Sequence, residues 1–221
     1  LKAYFISGLG ADKKAFYKLE LPAGYEPVYL DWIFPLPQEK LTDYARRFSL
    51  LINDKEKFIL IGLSFGGMLA CEIARIKTPE KLILISSIAV SDELPWYFKR
   101  AGAFRLQKII PAGFYKTATL LNHFMGSKVK EEKIMVLSFV RKTDPAFIQW
   151  AINAILKWKF NQRFSNLIHI HGSRDRLLPV KYTNADYVIE GGRHLMVWNK
   201  ATEINKILQQ VLLDIHHASN N

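Results

Sequence analysis

The stretch Phe58-Ile59-Leu60-Ile61-Gly62-Leu63-Ser64-Phe65-Gly66-Gly67-Met68-Leu69-Ala70 decides how this chain is read. A β-branched, apolar run ends in Gly-x-Ser-x-Gly and passes directly into a helix-forming segment. A strand, a sharp turn with Ser at its apex and a helix are the parts of a nucleophile elbow. The glycines have a mechanical reason. A helix leaving a strand so steeply brings the positions two before and two after the Ser against neighbouring backbone, where a Cβ would clash. Gly62 and Gly66 fill those positions, and the turn then lifts the Ser64 hydroxyl toward the first helical N–H groups. Gly and Ser are also ordinary turn residues, so the pattern needs partners elsewhere in the chain.

A serine nucleophile requires a base, and the base an orienting acid. Asp175 follows the apolar run Ile168-His169-Ile170-His171-Gly172 in a polar turn, and His194 follows Val188-Ile189 in the glycine-rich loop Gly191-Gly192-Arg193-His194. Each candidate stands just beyond the end of a separate strand, so all three can meet at one sheet edge, in the order Ser…Asp…His.

Upstream, Ala3–Ser7 reads as a buried strand, Pro27–Trp32 as a second and Leu82–Ser87 as another. Gln38–Ile52 has Leu41, Tyr44, Ala45, Phe48, Leu51 and Ile52 at helical spacing. The helix after Ser64 is expected over about Phe65–Ile76. Strands apolar on both faces, alternating with helices, indicate a parallel sheet covered on both sides. Ile204, Ile207, Leu208, Val211, Leu212 and Ile215 mark a closing helix, with His216–Asn221 expected as a frayed tail.

The alternation stops between Ser91 and about Arg163. Helical patches there are broken at Pro95, Pro111, Gly113, Gly126 and Pro145, and the interval is too long for a plain connection. It is rich in aromatics, among them Trp96, Phe104, Phe124, Phe139, Phe147 and Trp150.

With these motifs in place, the sequence resembles the α/β-hydrolase family, in particular its small single-domain serine hydrolases of carboxylesterase type. The resemblance covers nearly the whole chain and rests on Gly62–Gly66, on His-Gly-x-x-Asp-x-x-x-Pro from His171 to Pro179, and on Gly-Gly-x-His of Gly191–His194. It implies an α/β fold with a mostly parallel sheet flanked by helices on both faces. The core would be residues 1–90 and 164–215, with a small helical cap at about 91–163, inserted before the strand that precedes the triad acid. It implies Ser64, Asp175 and His194 as the catalytic triad, and the backbone N–H groups of Leu9 and Phe65 as the oxyanion hole. Many members carry His-Gly in the loop that holds the first of those donors; here the loop reads Ser7-Gly8-Leu9-Gly10.

The resemblance also implies an activity: cleavage of a small-molecule ester or thioester with an apolar acyl part, through an acyl-enzyme, with no cofactor and no metal. Amide or carbon–carbon bond hydrolysis uses the same triad, and a small-molecule receptor or signalling protein with slow or vestigial hydrolysis uses the same fold. Relatives that act on haloalkanes or epoxides need Asp at the elbow, where this chain has Ser64. Other carboxylates compete less well: Asp92 and Glu93 stand where some relatives carry the triad acid but outside the fuller motif of Asp175, and Asp12 and Asp31 read as turn or capping residues. His169 and His171 alternate along a strand with no Cys or carboxylate at ligand spacing, so they read as structural histidines. His123 reads as a surface residue of the cap.

Composition sets the outer bounds. The chain has 221 residues, 49% hydrophobic and 23% charged, which suits one globular domain. No apolar stretch approaches the ~18 residues of a membrane span. The chain enters strand-like Ala3–Ile6 at once, so a signal peptide is not expected. Cys71 is the only cysteine, and a cytoplasmic setting fits. The net charge is +11, and residues 91–165 hold thirteen Lys and Arg against five acids. These are scattered rather than gathered into a nucleic-acid motif, so a solvated basic surface is the expectation. An acidic partner or an anionic membrane surface is the alternative, and nucleic acid is not expected.

Overall fold

The computed structural model describes residues 1–103 and 130–218. Six strands make one sheet: β1 (Lys2–Ile6), β2 (Glu26–Leu30), β3 (Phe58–Leu63), β4 (Lys81–Ile85), β5 (Leu167–Gly172) and β6 (Tyr187–Ile189). Their order is β2-β1-β3-β4-β5-β6, and all five pairings are parallel. The helices are α1 (Leu41–Ser49), α2 (Phe65–Ala74), α3 (Trp96–Ala103), α4 (Lys130–Lys142), α5 (Pro145–Lys157), α6 (Met196–Asn199) and α7 (Ala201–Ala218).

The strands are apolar throughout because both faces are covered, and their alternation assigns each residue to a layer. Tyr4, Ile6, Leu60, Leu82 and Leu84 face a core shared with α1, α2 and α5. Ala3, Phe5, Ile59, Ile61, Ile83 and Ile85 face the opposite core, shared with Trp198, Ile204, Leu208 and Leu212. Trp198 is 2% exposed and its indole N–H donates to the Ala15 carbonyl at 2.9 Å, which satisfies the one polar atom that burial would otherwise orphan.

The order of the strands positions the site. From β1 the chain moves outward to β2, then returns to β3 on the other side of β1 and proceeds away. The ends of β1 and β3 therefore flank the topological switch point, where an open α/β sheet leaves a crevice at its carboxyl edge. Ile6 pairs with Gly62, so the Ser7–Gly10 turn emerges beside Ser64. Beyond the strand ends the ladder continues stepwise: the Ser64 N–H donates to Ile85 O, Ser86 N–H to Ile170 O and Ser173 N–H to Ile189 O, each at 3.0 Å.

Several expectations need correction. Helix α1 begins at Leu41 rather than Gln38. Gln38 has φ +59, and the Leu36 N–H is held by the Glu39 carboxylate at 2.8 Å, so Leu36–Lys40 is a turn. Leu51 points to solvent because α1 ends at Ser49 and tightens into i→i+3 bonds, which rotates Leu51 off the apolar face. The last helix runs to Ala218, past His216, and residues 219–221 lie outside the described part. Between β4 and β5 the structure has α3, α4 and α5. Phe104, Phe124 and His123 lie outside the described residues.

Candidate active site

Ser64 stands between the last residue of β3 and the first of α2 with no loop on either side. Its φ of +53 and ψ of −121 are a combination that residues with a Cβ rarely adopt. The surrounding glycines make this strain affordable. A Cβ on Gly62 would lie 2.5 Å from Gly67 Cα and 2.6 Å from the Gly66 carbonyl oxygen, and one on Gly66 would overlap the carbonyl oxygens of Ile6 and Ser7. The close approach expected from the spacing is therefore present, and its partners are all backbone.

His194 Nε2 lies 2.9 Å from Ser64 Oγ, and His194 Nδ1 lies 2.8 Å from Asp175 Oδ2. A carboxylate accepts, so Nδ1 carries the proton and the Nε2 lone pair faces the Ser64 hydroxyl. The other oxygen, Asp175 Oδ1, accepts the backbone N–H groups of Leu177 and Leu178, each at 2.9 Å. Asp175 is 4% exposed and His194 1%. Burial by itself opposes ionisation of Asp175. Facing His194 and the donors of His171 and His194 outweigh it and hold the carboxyl below its ordinary value.

A second close approach brings the loops of His194 and Asp175 together. Gly172 ends β5 directly against the loop after β6, where a Cβ would be 2.5 Å from the Gly192 carbonyl carbon. The Arg174 N–H donates to Gly192 O at 2.8 Å, and the Gly191 N–H to Ser173 Oγ at 2.8 Å. Gly191 takes φ +71 to make that turn. The Asp175 turn and the His194 loop are thus bonded to each other before the two side chains meet.

The other expected site residues lie beside the elbow. A Cβ on Gly8 would be 3.5 Å from Ser64 Cβ, which brings the Ser7–Gly10 turn next to Ser64. Among the described residues, neither the Leu9 nor the Phe65 N–H donates to a protein acceptor. Phe65 opens α2, whose N-cap is Ser64 without a side-chain cap bond, so the positive end of the helix faces the turn. The competing carboxylates are engaged elsewhere. Glu93 accepts the Ala89 N–H at 2.6 Å and the Asn184 N–H at 3.0 Å, Asp92 is exposed beside Lys99, and Asp12 accepts the Lys14 N–H. Cys71 is buried, and burial raises its thiol pKa.

Trp32 is a contact that the sequence reading did not find. Its indole N–H is shared between Ser7 Oγ at 3.1 Å and Gly8 O at 3.2 Å, and the Ser7 hydroxyl donates to Ala11 O at 2.5 Å. Its ring stacks on Phe65 at 5.3 Å with an interplanar angle of 11°. One side chain therefore braces both backbone segments that flank Ser64. Trp32, Phe139, Phe147 and Lys142 also line a cavity of about 270 Å³ that reaches Gly10 but not Ser64.

The comparisons agree with this architecture. The chain belongs to the alpha/beta hydrolase family, whose model matches residues 3–206. Among solved structures, a thermophilic esterase from Thermogutta terrifontis superposes with a TM-score of 0.72 at 17% identity, covering 98% of this chain and 90% of that one. A lipase-esterase related protein from Clostridium acetobutylicum gives 0.70 at 18% identity, with 94% and 92% covered. A hydrolase from Oleispira antarctica gives 0.68 at 16% identity, with 100% and 91% covered. No curated protein sequence matches the chain significantly.

Proposed function

We propose that the protein is a serine hydrolase that cleaves a carboxylic ester or thioester with an apolar acyl part. The observation that carries this reading is the unbroken line Ser64 Oγ–His194–Asp175, at 2.9 and 2.8 Å, beside two unengaged backbone donors. In the first half-reaction His194 Nε2 takes the Ser64 proton as Oγ attacks the carbonyl. Charge develops on the carbonyl oxygen, and the Leu9 and Phe65 N–H groups are the donors assigned to receive it. His194 then returns the proton to the leaving alcohol or thiol, and a water repeats the sequence to release the acid. Asp175 keeps Nδ1 protonated and offsets the charge on the imidazolium.

The acyl preference follows from the surroundings. Support comes from the cavity beside the Ser7–Gly10 turn, where Trp32, Ile33, Phe34, Phe139 and Phe147 form an apolar part of a lining that also holds Asp12, Lys142, Thr143 and Asp144. The segment at about 91–163 is read as the cap, whose described helices supply Phe139 and Phe147. The esterases among the structural relatives support ester hydrolysis.

The test is hydrolysis of p-nitrophenyl esters of increasing acyl length by the wild type, Ser64→Ala and His194→Ala. Saturable turnover that falls by about 10⁴-fold or more in both variants is expected. Turnover that persists in Ser64→Ala removes the assigned nucleophile.

A further inference from the structure

Behind the three residues above lies a buried polar chain that their chemistry does not use. His169 and His171 are two apart on β5 and so share a face; both are fully buried. The rings meet edge to face at 5.2 Å, with His169 Nε2 3.1 Å from His171 Nδ1. His169 Nε2 also faces the Ser87 carbonyl at 3.1 Å, and His171 Nε2 faces the Leu178 carbonyl at 2.7 Å. Carbonyls only accept, so both Nε2 atoms carry protons, and His171 Nδ1 is left to accept from His169. Each ring's tautomer is therefore fixed by its neighbours. His169 resists a second proton: burial, together with facing His171 and Arg163, pushes its pKa down to about 3.

The two ends of this chain are attached to the site. At one end the Ser87 hydroxyl donates to the Ser64 carbonyl at 2.6 Å, and Ser86 just before it is held at φ +47. A Cβ on Gly67 would be 2.6 Å from Ser87 Cβ, so Ser87 is pressed against α2. At the other end, Leu178 is bonded through its carbonyl to His171 and through its N–H to Asp175 Oδ1. His171 Nε2 also lies 3.4 Å from Asp175 Oδ2, the oxygen that faces His194. The links run from the Ser64 backbone through Ser87, His169 and His171 to Asp175, and return through His194 to the Ser64 hydroxyl. The circuit is closed.

We propose that His171, held in register by His169, is a positioning residue for Asp175. It pins the Leu177–Leu178 turn that grips one carboxylate oxygen and aims the other at His194. The proposal rests on the reading of Ser64, His194 and Asp175 as a catalytic triad. No proton moves along the chain; its contribution is geometric. Two fully buried imidazoles on β5 would be costly if they served only to fill space, because apolar side chains fill it without the need for partners.

The side chains that separate positioning from packing are close to isosteric. Gln at 171 places its amide nitrogen near the Nε2 position and keeps the donor toward Leu178 and Asp175. Asn reaches only the Nδ1 position and loses it, and Leu loses both ends. The readout is the saturating rate at which a fluorophosphonate labels Ser64, followed by intact mass, because it needs the triad but not the natural substrate. Melting temperatures are recorded in parallel. His171→Leu and His171→Asn are expected to label about 10²-fold more slowly at saturation, with unchanged half-saturation. His171→Gln is expected to recover to within about fivefold of wild type. Equal labelling by wild type, Gln and Asn variants overturns the proposal and leaves the hydrolase reading standing. So does labelling that follows melting temperature rather than the donor at 171. A wild type that takes no label overturns both.

Discussion

Replacing Gly66 with alanine tests how the elbow is built. The added Cβ would overlap the carbonyl oxygens of Ile6 and Ser7 and lie 2.8 Å from the Ile6 carbonyl carbon. Carbon–carbon contact becomes favourable only from about 3.5 Å, so α2 has to withdraw from β1 by at least roughly 0.7 Å. Both obstacles are backbone, and no side chain can rotate to relieve them. Overpacking costs about 1–3 kcal/mol, and a backbone clash belongs at the upper end. At about 2–4 °C per kcal/mol for a chain of this size, the melting temperature should fall by about 6–12 °C. The same withdrawal carries the Phe65 N–H away from Leu9, and loss of one oxyanion donor slows acylation by about 10²–10³-fold. Gly8→Ala is the control, because its Cβ would stand 3.5 Å from Ser64 Cβ, an ordinary contact, and the fold should melt within about 2 °C of wild type. Thermal unfolding by circular dichroism and the rate of p-nitrophenyl acetate acylation read the two effects. A Gly66→Ala protein with wild-type melting and wild-type acylation would refute the close-approach argument.

Further expectations concern the supports of the site. Trp32→Phe keeps the stack on Phe65 but removes the donor to Ser7 and Gly8; kcat should fall about tenfold with KM within about twofold, measured on one ester. His169 is held neutral with a folded pKa of about 3, so from about pH 6.5 downward the unfolded chain binds one more proton there, and this share of stability is lost on acidification. Urea unfolding from pH 6 to pH 4 should therefore fall more steeply for wild type than for His169→Gln, by about 1.4 kcal/mol per pH unit; parallel curves would contradict it. Glu72 is buried, which raises its carboxyl pKa against the Trp158 indole N–H at 2.9 Å and nearby Arg75. Its ionisation thus destabilises the fold as pH rises above the unfolded value, and Glu72→Gln should melt higher than wild type at pH 8, with the gap closing toward pH 4.

The parts of the molecule that were legible in the sequence are those written in local pattern. The apolar runs at Ala3–Ile6, Phe58–Leu63 and Leu82–Ile85 announce a doubly covered sheet, because each must be apolar on both faces. Gly62, Gly66 and the residues following β5 and β6 mark the turns where functional side chains emerge. The supports were not legible. Trp32 meets Ser7, and Ser87 meets Ser64, across more than twenty residues of chain, and no periodicity records such contacts. His171 was read only as part of a motif and as a structural histidine; its neighbour Asp175 is four residues along, yet the turn that folds one back onto the other is set by Leu178, itself bonded to both. Helix ends were misplaced where a single unusual backbone angle, as at Gln38, overrides side-chain pattern.

The central claim is that Ser64 is a nucleophile activated by His194. Peptide mapping after reaction with a fluorophosphonate tests it most directly. One adduct per chain is expected, on the peptide that carries Ser64, absent in Ser64→Ala and slowed by at least about 10³-fold in His194→Ala. An adduct that persists in Ser64→Ala, or a wild type that remains unmodified, would contradict it.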